Sequence, residues 1–194
     1  MIVLKRWIRE FLSFFIFLRF KNIWNLYDYL FENKKISGIY ASVFTHYCDK
    51  HTSYIGIGAE FKNHPYLPHG LSGIFISDNA KIGKNAVIFQ NTTIGSSRTI
   101  GSKNNGSPTI GDNCYIGTGA VIIGNVIIGN NVRIGANATV NKDIPDNSIV
   151  VPTASRIITK DEALDNRFVK KVGDKYYYWD HNSNTFKELK NSIE

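Results

Sequence analysis

The sequence predicts an all-β solenoid, a parallel β-helix, from three observations. Aliphatic residues recur every six positions, at Ile76, Ile82, Ile88 and Ile94, then at Ile110, Ile116, Ile122, Ile128, Ile134 and Val140. Two positions before nearly all of them stands a small or compact residue: Ala80, Ala86, Thr92, Cys114, Ala120, Val126, Val132, Ala138. Three positions after most of them comes Asn or Gly: Asn79, Asn85, Asn91, Asn113, Gly119, Asn125, Asn131, Asn137. A period of six fits neither an amphipathic helix nor an alternating strand. Short fixed-period repeats signal a solenoid. Here the aliphatic side chains stack inward, and Asn and Gly tolerate the left-handed backbone that a corner demands.

The 194 residues divide into an N-terminal helical segment (1–50), the β-helix (51–158) and a C-terminal extension (159–194). In the first segment Trp7, Phe11, Phe14, Phe15 and Leu18 recur at helical spacing, flanked by Lys5, Arg6, Arg9, Arg19 and Lys21. The uncharged run from Phe11 to Leu18 is far shorter than the ~20 residues needed to span a bilayer. The segment therefore packs on the solenoid or on a neighbouring subunit, with peripheral contact at an anionic inner-membrane face as the other reading. No small-residue cleavage site follows the apolar run, so no leader peptide is expected and the expected location is the bacterial cytoplasm. Cys48 and Cys114 form no metal or redox motif, and Cys114 occupies an inward slot.

Residues 36–75 are transitional and hold His46, His51, His64 and His69. Ile55 to Ile76 spans 21 positions, so this coil departs from the period by three residues, around Pro65–Gly70. Loops that break a rigid scaffold's period are natural places for chemistry. A second break, Gly95–Thr109, separates Ile94 from Ile110 by 16 positions, more than the hexads allow even if Ile100 keeps the register. This polar, basic segment protrudes beside the same flank. In the extension, Lys175–Trp179 and Thr185–Leu189 around a turn at 180–184 read as a β-hairpin that covers the open end of the solenoid; its aromatics could instead stack on sugars.

The formal charge of +7 is spread unevenly, with +4 over residues 1–35 and +3 over 36–109. That points to an anionic partner such as a phosphate-rich cosubstrate, an anionic lipid surface or an acidic glycan. Nucleic acid is not expected, because no binding motif is present and the basic residues are scattered.

Several ordered segments carry a resemblance: Gly73-Ile74-Phe75-Ile76 after His69, Ile88-Phe89-Gln90-Asn91-Thr92-Thr93-Ile94-Gly95, Pro108-Thr109-Ile110-Gly111-Asp112-Asn113, Ile116-Gly117-Thr118-Gly119-Ala120 and Ile122-Ile123-Gly124-Asn125-Val126. Over about residues 55–157 the chain resembles the hexapeptide-repeat acyltransferases, and among them the serine O-acetyltransferase-like branch. The resemblance implies a left-handed coil, against the usual right-handed crossover. It also implies a homotrimer, acetyl-CoA as cosubstrate without a metal, and direct acetyl transfer to a hydroxyl with one histidine as general base. His69 occupies that histidine's position, and an imidazole titrating near neutrality suits removal of an alcohol's proton. Asp49 is nearest to the slot of the orienting aspartate. The positions matching the CoA groove are Gly95, Ser96, Gly117, Thr118, Gly135 and Ala136. Arg156, with Arg98, Lys103, Arg133 and Lys160, is a candidate for the CoA phosphates.

The chain also departs from the serine enzymes. The aspartate before the catalytic histidine is Pro68 here, the Arg-His pair of the long loop is Gly106-Ser107, and the long acidic helical domain is replaced by a short basic one. A site lacking the charged partners of a zwitterion binds it poorly. The expected acceptor is therefore a sugar hydroxyl of a capsular or other surface polysaccharide or its precursor. Serine O-acetyltransferase activity, sugar-nucleotide N-acylation and a non-catalytic glycan-binding solenoid are the alternatives. A zinc hydratase of this fold needs coil-borne histidines, and the coils from Ile76 to Val151 hold none.

Overall fold

The computed structural model describes residues 2–34, 38–101, 103–152, 169–180, 182–183 and 185–189. Contacts divide the chain into two compact units, 1–153 and 154–194. The first opens with helices α1 (Ile2–Phe20), α2 (Ile23–Glu32) and α3 (Ile39–Lys50). The helical stretch breaks at Lys21, whose φ is +67°, and Asn22 caps α2 by accepting from the Asn25 N–H at 2.9 Å. The stretch from Ile39 to Lys50 is helical as well. It buries Ala41, Val43, Phe44 and Cys48.

Thirteen short strands then wind through three parallel sheets. Sheet A stacks β1 (Tyr54–Ile55), β3 (Phe75–Ile76), β6 (Thr93–Gly95), β9 (Val121–Ile123) and β12 (Thr139–Val140). Sheet B stacks β2 (Glu60–Phe61), β4 (Lys81–Ile82), β7 (Thr109–Ile110) and β10 (Ile127–Ile128). Sheet C stacks β5 (Val87–Ile88), β8 (Tyr115–Ile116), β11 (Arg133–Ile134) and β13 (Ile149–Val150). The register pairs like with like, Ile76 with Ile94 and Ile94 with Ile122 in sheet A, Ile88 with Ile116 in sheet C. All the hexad aliphatics are essentially inaccessible, as are the small residues of the inward slots. Burying an Ile completely contributes about 1.5–3 kcal/mol. In the Thr92 slot, the hydroxyl donates to the Phe89 carbonyl at 2.8 Å.

The three edges of the prism differ. Between sheets B and C, Asn85, Asn113, Asn131 and Asn147 all take φ between +56° and +59°. Their amides form a ladder: Asn85 donates to Asn113 at 2.9 Å, Asn113 to Asn131 at 3.2 Å and Asn131 to Asn147 at 3.0 Å. Between sheets C and A, glycine alternates with asparagine: Gly73, Asn91, Gly119 and Asn137 all have positive φ. A Cβ on Gly73 would stand 2.2 Å from the Asn91 Oδ1, and one on Gly119 would stand 2.3 Å from the Asn137 Oδ1. Between sheets A and B the rule of a left-handed Asn fails. Neither Asn79 nor Asn125 has positive φ, and in the later coil Gly124 takes the strained position at +89°.

The second period break leaves from this A–B edge. Ser97 and Gly106 pair across its base in antiparallel fashion, and Ile100 is fully exposed, so Ile100 does not keep the register. The helices cover the first coil. The Tyr27 hydroxyl donates to the Gly56 carbonyl at 3.2 Å and also to that of Ala59, and Trp24 stacks on His64 at 4.8 Å. In the second unit the expected hairpin, β15 (Lys175–Asp180) with β16 (Thr185–Glu188), is joined by a further antiparallel strand, β14 (Val169–Val172).

Candidate active site

His69 lies on the chain between Tyr66, which bridges to Val87 of sheet C, and Phe75 of sheet A. That places it on the C–A edge, where the three extra residues of the first coil bulge outward. The imidazole is exposed. Its Nδ1 lies 2.6 Å from Oε1 of Gln90, which occupies the same edge one coil on. An amide oxygen only accepts, so in this contact Nδ1–H is the donor, and in the neutral ring that tautomer leaves the lone pair on Nε2. The ring meets Phe89 edge-on at 5.6 Å, Phe89 packs on Tyr115 at 5.1 Å, and the Arg133 guanidinium lies 5.7 Å from the Tyr115 ring centre. An aromatic row with a cation at its far end thus starts at the histidine and runs onto face C.

The other described histidines have structural partners. His46 contacts Glu10 at 3.2 Å, His51 Nδ1 contacts the Tyr47 carbonyl at 2.8 Å, and His64 contacts Asp28 at 2.8 Å. Asp49 lies in the last turn of α3 and lines a recess with Cys48, Tyr54 and Asp78. No hydrogen bond or ion pair joins it to His69, whose ring-nitrogen partner is Gln90. Gln90 stood inside a quoted motif, but the spacing alone gave no sign of its pairing. Burial pushes the Cys48 thiol up to about 12 and raises that of Cys114, so neither is a ready nucleophile. Among the described residues, no three His, Cys, Asp or Glu side chains are grouped to hold a metal ion.

The six groove positions fall on two edges. Gly117, Thr118, Gly135 and Ala136 continue the C–A edge below His69 and Gln90: the Gly119 N–H donates to the Gln90 carbonyl at 3.1 Å, and the Asn137 N–H to the Thr118 carbonyl at 2.8 Å. Thr118 is half-buried and Ala136 exposed, so this column is narrow and its backbone approachable. Gly95 and Ser96 instead sit at the A–B edge, at the base of the protruding loop, where the Ser96 hydroxyl meets that of Ser107 at 2.7 Å. The two edges border the same face, sheet A, from opposite sides. The outward row of that face, Tyr54, Phe75, Thr93, Val121 and Thr139, carries no charge. Arg98 and Lys103 lie exposed in the loop, whereas Arg156 and Lys160 lie outside the described residues.

Comparison with known proteins finds the same repeat and the same fold. The bacterial transferase hexapeptide model, of six repeats, matches residues 107–142. Serine acetyltransferase isoform 3 of Entamoeba histolytica, solved with cysteine, is 27% identical with a TM-score of 0.61, covering 72% of this chain and 50% of that one. Native serine acetyltransferase 1 of the same organism is 32% identical with a TM-score of 0.56, covering 66% and 50%. The Neisseria gonorrhoeae enzyme, solved with serine, is 26% identical with a TM-score of 0.52, covering 70% and 53%. No curated protein sequence matches the chain. The repeat and the fold are those of the hexapeptide-repeat acyltransferases, a left-handed parallel β-helix. Within that class the solved structures named here are serine acetyltransferases, and the chain spans about half their length.

Proposed function

We propose that the protein is an acetyl-CoA-dependent O-acetyltransferase whose acceptor is a sugar hydroxyl, as in a surface polysaccharide or its precursor. The observation that carries this reading is the exposed His69 imidazole, held through Nδ1 by the Gln90 amide. In the reaction Nε2 takes the acceptor's hydroxyl proton as its oxygen adds to the thioester carbonyl. The C–S bond then breaks, and the proton passes from the imidazolium to the departing sulfur. The small residues of the C–A column suit an extended pantetheine arm close to the backbone. Acetyl-CoA supplies the acyl group and the thiolate leaving group.

A homotrimer completes the site in this reading. Packing the uncharged faces between subunits brings Gly95, Ser96 and the loop of one chain to the His69 edge of the next. Asp49 is proposed only as a more distant electrostatic contributor, since Gln90 holds the ring.

Two observations favour a sugar over serine. The aromatic row of Phe89 and Tyr115 beside His69 offers apolar ring faces of the kind that sugars stack on. At Gly106, φ is +139° and a Cβ would lie 2.8 Å from the Asn125 Cβ, so an arginine cannot be carried there on this backbone. The similarity to serine acetyltransferases keeps serine as the second reading. The deciding experiment measures thiol release from acetyl-CoA with free serine, short glycans and sugar nucleotides as acceptors, using wild type and His69→Ala. Turnover with a glycan, reduced about 10²–10⁴-fold by His69→Ala, is expected. Turnover with serine alone overturns the sugar reading, and wild-type rates in His69→Ala remove the histidine from the mechanism.

A further inference from the structure

Helix α1 has two apolar faces, and the fold uses one. Ile16 and Phe20 are buried, with Leu12 and Phe17 packed beside them against the core. Phe11, Phe14, Phe15 and Leu18 are 66%, 63%, 52% and 63% exposed. Their spacing puts all four on one stripe of the helix. The three rings touch one another edge-on, Phe11 to Phe15 at 4.9 Å and Phe14 to Phe15 at 5.5 Å. Phe14 and Leu18 also line a groove of about 620 Å³ between α1 and α3, with Phe17 and Tyr47 at its apolar wall and Lys50 at its rim. Such a contiguous apolar surface on a folded chain marks an interaction site.

The net charge of α1 selects what covers the stripe. Helix α1 carries Lys5, Arg6, Arg9 and Arg19, and Lys21 follows at once. Its one acidic residue, Glu10, is neutralised within the fold by Lys50 at 2.7 Å and meets His46 at 3.2 Å. A second copy of α1 laid on the stripe would bring two such basic helices together with no acid to offset them. The stripe is also not a heptad seam of interlocking Leu and Ile. A bilayer with anionic headgroups meets both requirements, since it takes aromatic side chains at the acyl boundary and gains from flanking Lys and Arg. No described helix is long and apolar enough to cross a membrane.

We infer that the α1 stripe docks the protein on an anionic bilayer surface, lying in the interface plane. The inference concerns where the protein sits and stands whether the acceptor is a sugar or serine. It is tested by co-sedimentation of the full chain with vesicles of phosphatidylcholine alone and with added phosphatidylglycerol, at low and high salt. The expected result is binding to the anionic vesicles only, weakened by salt, and lost roughly tenfold or more in Phe11→Asp/Phe15→Asp. Both positions are exposed, and an unchanged circular dichroism spectrum checks that the variant folds. Equal binding to neutral vesicles, no binding to either, or binding indifferent to the two substitutions overturns the inference. A lower solution mass for the folded variant than for wild type also overturns it, because the stripe is then a contact between copies.

Discussion

The alternation of glycine and asparagine along the C–A edge makes a quantitative demand on Gly119. Its φ of +69° is a left-handed conformation, and a Cβ there would stand 2.3 Å from the Asn137 Oδ1. Gly119→Ala thus meets two costs: about 1–2 kcal/mol for an L-residue in the left-handed region, and about 1–3 kcal/mol of overpacking unless Asn137 gives way. Asn137 is itself at φ +58° with its N–H bonded to the Thr118 carbonyl, so it cannot swing clear without disturbing the next corner. The expected loss for Gly119→Ala is about 2–5 kcal/mol. Asn137→Gly removes only the second cost, so the double variant is more stable than additivity predicts, by about 1–3 kcal/mol. Denaturant unfolding followed by far-ultraviolet circular dichroism, at one fixed chain concentration, measures all four members of the cycle. Additive losses, or a Gly119→Ala variant within about 0.5 kcal/mol of wild type, would refute the corner packing.

On the proposed function, Gln90→Ala leaves His69 in place but frees its ring; losing one hydrogen bond of about 1 kcal/mol is expected to lower kcat roughly fivefold without changing the KM for acetyl-CoA, and Gln90→Glu, which keeps an acceptor, is expected to restore most of it. Steady-state thiol release separates these outcomes from a general loss of folding. Alkaline stability follows from Cys48: burial holds the folded thiol near 12, against an ordinary value of 9.0. From about pH 9 upward the unfolded chain releases a proton that the folded chain keeps, so stability falls across pH 9 to 12. Cys48→Ala flattens that fall in denaturant titrations at about pH 8 and pH 10.5, and the buried Tyr27 hydroxyl, also raised by burial, acts in the same direction. Light scattering is expected to give three times the 21.9 kDa chain mass, and a single-chain mass would contradict the shared site.

How much of this was legible in the sequence depends on the range of the contact. The hexad period is local, and it placed the stacked aliphatics from Ile76 to Val140 and the small inward slots before them, because each strand repeats one pattern. The corner residues were read as one kind, yet Asn79 and Asn125 differ, because the A–B edge turns without a left-handed asparagine. That difference belongs to the edge, which a linear period does not label. The His69–Gln90 pair spans 21 positions and depends on how the first coil absorbs its extra residues. Asp49 was close along the chain to the expected slot, but α3 ends there and directs it to a separate recess. Strand β14 was missed because Val169-Lys170-Lys171-Val172 lacks the aromatic signature of its partner.

Tyr27 ties α2 to the first coil alone, through the Gly56 and Ala59 carbonyls. Coils of a solenoid touch only their neighbours, so melting travels inward from whichever end is least secured. The histidine rides on that terminal coil. Detachment of the helices thus unseats it while the deeper layers still hold their shape, so on the proposed function inactivation on warming is expected to precede the main calorimetric transition.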